Sequence, residues 1–212
     1  MTRIAIDIDG TLGYRDRQEY MKTCNETLKL EIAEEHLQTL SSLKTFYQLP
    51  EVQKYRERVG EAYYRKAIGW IDFHPQVLRT TRLLPGAKEG VMLLATLGKV
   101  AYYTARYSAQ SEERSQAMAQ ATLEWLAACD LVNPTNAVFC DGLPGKLRQL
   151  AQAIAEDPGP VLLVDDQYAR LLERLTDLDE EPVQLLKRSL ILVAFGARTV
   201  PEGPPIPVIA LP

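Results

Sequence analysis

Residues 3–13 read RIAIDIDGTLG: an apolar, β-branched run that ends in two aspartates, Asp7 and Asp9, followed at once by Gly10 and Thr11. A buried strand explains the apolar part. It does not explain two carboxylates at the strand's carboxyl end, where a doubly wound sheet binds its ligands. Four further runs have the same character, namely KVAYYT, NAVFC, PVLLVDD and SLILVAFG, and helical patterns separate the later ones. Met118, Thr122, Trp125 and Cys129 form one such stripe, and Leu147, Leu150, Ala151 and Ile154 form another. Strand followed by helix, repeated, predicts an α/β protein with a doubly wound, five-stranded parallel sheet.

The interval 14–84 breaks this rhythm. It contains no convincing strand, and Leu37, Leu40, Leu43 and Tyr47 form a helical seam, so it reads as an all-helical insertion after the first strand. The expected domains are residues 1–13 with 85–212 as the core, and 14–84 as the insertion. Nine of the sixteen aromatic residues fall in the insertion, where bulky rings would fill a small bundle's core. LLPGAKEG at 83–90 returns the chain to the sheet, with Pro85 and Gly86 breaking the pattern. The terminal VPEGPPIPVIALP is too proline-rich for a central strand and is expected to lie extended on the surface.

Composition narrows the function classes. With 212 residues, 46% hydrophobic and 25% charged, the chain can build one substantial core and a smaller accessory unit. Its net charge of −4 speaks against a protein that coats nucleic acid. Three unpaired cysteines, Cys24, Cys129 and Cys140, suggest free thiols in a reducing cytoplasm. No apolar run reaches the length of a membrane span, and no signal region opens the chain. A cytoplasmic protein without a membrane partner is expected; its oligomeric state is open.

The strand ends carry the chemistry. The first ends at Asp7 and Asp9, the second at Thr104, and the fourth at Asp165 and Asp166, while Lys146 opens the helix after the third. Carboxylates that converge in one crevice repel one another and call for a cation. Magnesium prefers oxygen ligands and leaves positions for water and phosphate, so the set points to phosphate chemistry.

DIDGTL, with the later YYTAR, a lysine and VLLVDD, resembles the haloacid dehalogenase superfamily of phosphatases, all four of whose motifs occur here in order between about residues 3 and 196. The resemblance implies that Asp7 attacks phosphorus to form an aspartyl-phosphate. It makes Asp9 the general acid and base, Thr104 with the amide of Ala105 the holder of phosphate oxygens, and Lys146 the neutralising cation. Gly10 and Thr11 would form a tight loop whose backbone approaches the phosphate. Mg2+ would be held by Asp7, the Asp9 carbonyl and one of Asp165 and Asp166. Asp9 itself argues against a dehalogenase or an ion pump, which lack an aspartate there.

Lys99 competes with Lys146 but lies at the wrong end of its strand, and Pro144 and Gly145 place Lys146 in a loop. Arg106 is assigned to substrate contact, against a surface ion pair with Glu112 or Glu113. Asp141 is either a supporting residue or a turn aspartate, and His36 and His74 are expected to be exposed or capping. The superfamily's acidic or amide residue a few positions after the last motif is not evident in DDQYARLL.

An insertion between the first two motifs is, in this superfamily, a helical cap of the C1 type, which implies a small substrate. It holds twelve Lys and Arg against ten Asp and Glu, which suits an anion. The core also resembles the nucleotidase-like branch. The leading reading is a phosphatase for a small phosphorylated metabolite, nucleotides included. The alternatives are a polynucleotide-end (3′-phosphate) phosphatase, a phosphomutase, and a non-catalytic module that binds a phosphorylated ligand.

Overall fold

All five apolar runs become parallel strands, and the carboxyl-terminal segment adds a sixth. The computed structural model describes residues 2–107 and 111–212. In chain order the elements are β1 (Arg3–Ile6), β2 (Gly13–Tyr14), α1 (Arg17–Leu28), α2 (Glu34–Thr39), α3 (Leu43–Tyr47), α4 (Pro50–Val59), α5 (Glu61–Asp72), α6 (Pro75–Arg79) and β3 (Arg82–Leu83). The chain continues through α7 (Ala87–Leu97), β4 (Lys99–Thr104), α8 (Glu112–Ala128), β5 (Ala137–Phe139) and α9 (Gly142–Glu156). It ends with β6 (Val161–Asp165), α10 (Tyr168–Arg174), a 3-10 turn, α11 (Glu180–Ser189), β7 (Leu190–Phe195) and β8 (Val208–Leu211).

The chain divides into two compact units, Met1–Tyr14 with Leu83–Pro212, and Arg15–Arg82. In the first, the strands lie in the order β5-β4-β1-β6-β7-β8. From β1 the chain steps outward through β4 and β5, then returns to build β6, β7 and β8 on the other side. The order therefore reverses around β1, which is where such sheets open a crevice at their carboxyl ends. Strand alternation supplies a core to each face. Ala5, Tyr103 and Leu163 pack with Leu147, Leu150 and Ile154 of α9, whereas Ile4, Ile6, Val100 and Tyr102 pack with Val91 of α7 and Trp125 and Leu126 of α8. Each Ile, Leu or Val side chain among them, once buried, contributes about 1.5–3 kcal/mol.

The expected surface tail is instead strand β8, which pairs with β7 in register from Leu192 opposite Val208 to Phe195 opposite Leu211. No proline falls between Pro207 and Pro212, so the VIAL segment keeps its N–H groups, and even Pro207 serves by accepting from the Leu192 N–H at 2.9 Å. An edge strand tolerates proline at its start where a central one would not.

The second unit is helical, apart from Arg82 of β3 at its end. Its seam runs over two helices rather than one, because Leu40 ends α2 in an extended conformation and Ser42 caps α3 by accepting from the Thr45 N–H at 3.1 Å. Leu37, Leu40, Leu43 and Tyr47 nevertheless join one cluster with Tyr20, Phe46 and Val52. Tyr47, Tyr55 and Tyr64 also pack there, whereas Tyr63 is exposed. His74 caps α6 through Nδ1, and Cys24 and Cys140 are buried free thiols. Among the described residues, no helix is long and apolar enough to cross a membrane.

Candidate active site

The first strand does not end its pairing at Ile6, since the Asp7 N–H donates to the Val164 carbonyl at 2.9 Å. Asp7 is thereby fixed just beyond the carboxyl end of β1, 4% exposed. Ile8 turns into the core, and Asp9, two residues on, is half-exposed. A tight loop follows, in which the N–H groups of Leu12 and Gly13 both donate to the Ile8 carbonyl and that of Gly10 donates to Gly13. Gly10 sits at φ +86°, and a Cβ there would lie 2.3 Å from Asp166 Oδ2. Its N–H is thus engaged within the loop, and glycine at this position makes room for Asp166.

Lys146 enters from the first turns of α9. Pro144 and Gly145 belong to this helix rather than to a loop, because Gly142 at φ +66° makes the turn and the helix begins there. The lysine side chain is 1% exposed, with Nζ 2.6 Å from Asp7 Oδ1 and 2.7 Å from Asp165 Oδ2. Asp165 is fully buried, and its Oδ1 accepts from the Gln167 N–H at 2.8 Å. Asp166 is held by Thr11, whose hydroxyl accepts from the Asp166 N–H at 3.1 Å and lies 3.4 Å from its Oδ1. Oxygens of Asp7, Asp165 and Asp166 all lie within 4.8 Å of one another.

Burial pushes Asp7 up to about 7; Lys146 opposes this and the Asp165 charge adds to it. For Lys146, burial works against the charge, but the carboxylates of Asp7 and Asp165 hold it above the ordinary lysine range. Burial and then the Asp165 charge raise Asp166 as well. With all three carboxylates ionised, one ammonium leaves a net charge of −2, and among the described residues Asp7 Oδ2 is buried without a hydrogen-bond partner. A divalent cation with oxygen preference fits both facts.

Thr104 ends β4 fully buried, and its hydroxyl likewise has no partner among the described residues. Next to it, Ala105 is partly buried, with its carbonyl accepting from the Tyr107 N–H at 2.9 Å. Arg106 does not make the surface ion pair that is the alternative reading from sequence. It pairs with neither Glu112 nor Glu113, and it does not face solvent: its guanidinium, 0% exposed, forks onto Asp9 with Nε 2.9 Å from Oδ2 and Nη2 2.8 Å from Oδ1. Its Nη1 donates to Thr122 Oγ1 at 3.2 Å, and the ring of Trp125 lies beneath at 5.7 Å. Sequence reading placed Thr122 and Trp125 on a core stripe, and only their spacing from Arg106 in three dimensions reveals the second role. Lys99 is exposed at the opposite strand end, and Asp141 is exposed at the start of α9 without a side-chain cap bond.

No protein-family model matches the chain, and no curated protein matches it. Among solved structures, it is similar to a haloacid dehalogenase-like family hydrolase from Xanthomonas campestris, at 14% identity and TM-score 0.49, covering 100% of this chain and 90% of that one. It is also similar to a HAD-superfamily hydrolase of subfamily IA, variant 1, from Geobacter sulfurreducens, at 15% identity and TM-score 0.45, covering 94% and 89%.

Proposed function

We propose that the protein is a magnesium-dependent phosphatase of the haloacid dehalogenase type, acting on a small phosphomonoester, nucleotides included, through an aspartyl-phosphate on Asp7. One observation carries the reading: Asp7 is buried with Oδ1 on Lys146 and with Oδ2 unpartnered among the described residues. A purely structural buried aspartate would have both oxygens satisfied. A nucleophile needs one pinned and one available.

In the first step the available carboxylate oxygen of Asp7 forms a bond to phosphorus, the bond from phosphorus to the leaving oxygen breaks, and that oxygen takes a proton from the Asp9 carboxyl group. In the second step the Asp9 carboxylate takes a proton from water as the water oxygen attacks phosphorus, which frees Asp7 and phosphate. Thr104 offers its unpartnered hydroxyl to a phosphate oxygen, and Lys146 offsets negative charge on Asp7 and on the transferring group. Asp7, the Asp9 carbonyl and Asp166 would hold Mg2+, with Asp165 bracing Lys146. Bound there, the ion supplies charge neutralisation for the transferring phosphoryl group. The inserted unit is assigned the choice of leaving group, from its place in the chain between Asp9 and Thr104.

The test is phosphate release from sugar phosphates, mononucleotides and a 3′-phosphorylated oligonucleotide, with and without magnesium, for wild type and Asp7→Asn. Magnesium-dependent release that disappears in Asp7→Asn is expected, with the best substrate on a mononucleotide or sugar phosphate. Preference for the oligonucleotide would replace the small-substrate reading, and no release from folded protein would overturn the phosphatase reading.

A further inference from the structure

Asp9 is half-exposed and sits in a loop, so its side chain would ordinarily exchange among rotamers. A proton donor and acceptor cannot afford that freedom, because small misplacements of a reacting group cost about a hundredfold in rate. What removes the freedom here is a wholly buried arginine. Both nitrogens on one edge of the Arg106 guanidinium meet the two Asp9 oxygens, at 2.9 and 2.8 Å. Such a fork fixes the plane of the carboxylate as well as its place.

The arginine is itself braced. Its remaining nitrogen donates to Thr122 Oγ1, and that hydroxyl donates onward to the Met118 carbonyl at 2.8 Å, so it presents a lone pair to the guanidinium. The Trp125 ring completes the seat from the same face of α8, one turn on. A guanidinium so enclosed would be costly to bury without a carboxylate partner, and Asp9 supplies it. Every nitrogen of Arg106 thus has a protein partner, which argues against the direct substrate contact expected from sequence.

We infer that Arg106 is a positioning residue: with Thr122 and Trp125 it holds the Asp9 carboxyl group in the orientation from which a proton passes to the leaving oxygen. This rests on the phosphatase reading above.

The experiment compares wild type, Arg106→Lys and Thr122→Val on the best substrate of the panel. Lysine cannot form the fork, so Arg106→Lys is expected to lower kcat about a hundredfold with KM within about twofold of wild type. Thr122→Val keeps the fork and the volume but loses the brace, and kcat should fall about tenfold, again without a change in KM. First-turnover release of the leaving group adds a readout that misfolding would not imitate. Arg106→Lys should be far slower on an alkyl phosphate, whose leaving oxygen needs a proton, than on 4-nitrophenyl phosphate, whose leaving oxygen does not. A raised KM with kcat intact, or equal losses on the two substrates, would overturn the assignment in favour of substrate contact or general disruption.

A double-mutant cycle of Asp9→Asn and Arg106→Lys by urea unfolding checks the pair apart from turnover. Additive effects would overturn the pair. Coupling in a wild type that releases phosphate from nothing would instead overturn the phosphatase reading, and Arg106's role in that reaction with it.

Discussion

Lys146 Nζ lies 2.6 Å from Asp7 Oδ1, and both side chains are buried. Removing one member of a buried pair strands the other charge, at a cost of about 3–5 kcal/mol. The same ammonium also serves Asp165 at 2.7 Å, so Lys146→Met leaves two buried carboxylates facing each other. It should lower stability by about that amount in urea unfolding and abolish phosphate release. Added magnesium should restore part of the stability, since a divalent ion can replace the lost charge, but not the activity. A variant as stable as wild type would show that these charges are not coupled as the distances imply.

The raised Asp7 carboxyl makes stability depend on pH in a definite sense. An aspartate in the unfolded chain loses its proton near pH 4, whereas Asp7 in the metal-free fold keeps it to about 7. Between those values the folded state binds more protons, so stability falls as pH rises. The expected loss is on the order of a few kcal/mol between pH 4 and 7, measured by denaturant unfolding in the presence of a chelator. Asp7→Asn cannot titrate at this position and should give a flatter profile. If the two profiles coincide, Asp7 is not the group responsible.

Gly10 and Asp166 compete for one space. An alanine at position 10 would need both a left-handed backbone, at φ +86°, and a Cβ 2.3 Å from Asp166 Oδ2. Gly10→Ala should therefore cost about 1–2 kcal/mol and displace the Asp166 carboxylate. The rise in Tm on adding magnesium should shrink to near nothing in Gly10→Ala and in Asp166→Asn alike. Asp165→Asn should instead lower the starting Tm, because Asp165 Oδ2 is committed to Lys146 and its Oδ1 to the Gln167 N–H. Should Asp165→Asn lose the magnesium response while Asp166→Asn keeps it, the metal-ligand assignment between the two is reversed.

Much of this site could be read from the chain because its members stand at strand ends. β-branched runs mark buried strands, and a carboxylate directly behind one is conspicuous, so Asp7, Asp9, Asp165 and Asp166 announce themselves. Lys146 was readable for a related reason, since it follows a strand on the side where the crevice opens. Strand β8 was obscured by Pro204, Pro205 and Pro207, whose effect on a central strand does not apply at the edge it occupies. The Arg106 fork was not legible at all. It joins residues 97 positions apart, and nothing in local spacing distinguishes an arginine turned inward onto Asp9 from one turned outward to Glu112. Thr122 and Trp125 looked like core because they are core. Their polar atoms and ring face acquire a second use only once Arg106 is placed against them.

Thr104 offers a trade between stability and activity. Its hydroxyl is buried without a partner among the described residues, an arrangement that costs a folded protein about 1–3 kcal/mol relative to a satisfied one. Valine has nearly the same shape and no hydroxyl to satisfy, so Thr104→Val should unfold at the same or higher denaturant concentration than wild type, by up to about 1–2 kcal/mol. The hydroxyl is retained, on the proposed reading, because a phosphate oxygen becomes its partner only when substrate is bound. Thr104→Val should then raise KM and lower kcat/KM by about ten- to a hundredfold, the worth of one hydrogen bond to a charged group. Inorganic phosphate, a product, should raise the Tm of wild type in the presence of magnesium and raise that of Thr104→Val less. Greater stability with full activity would show that the hydroxyl touches nothing during turnover. Lower stability would show that it has a partner within the fold.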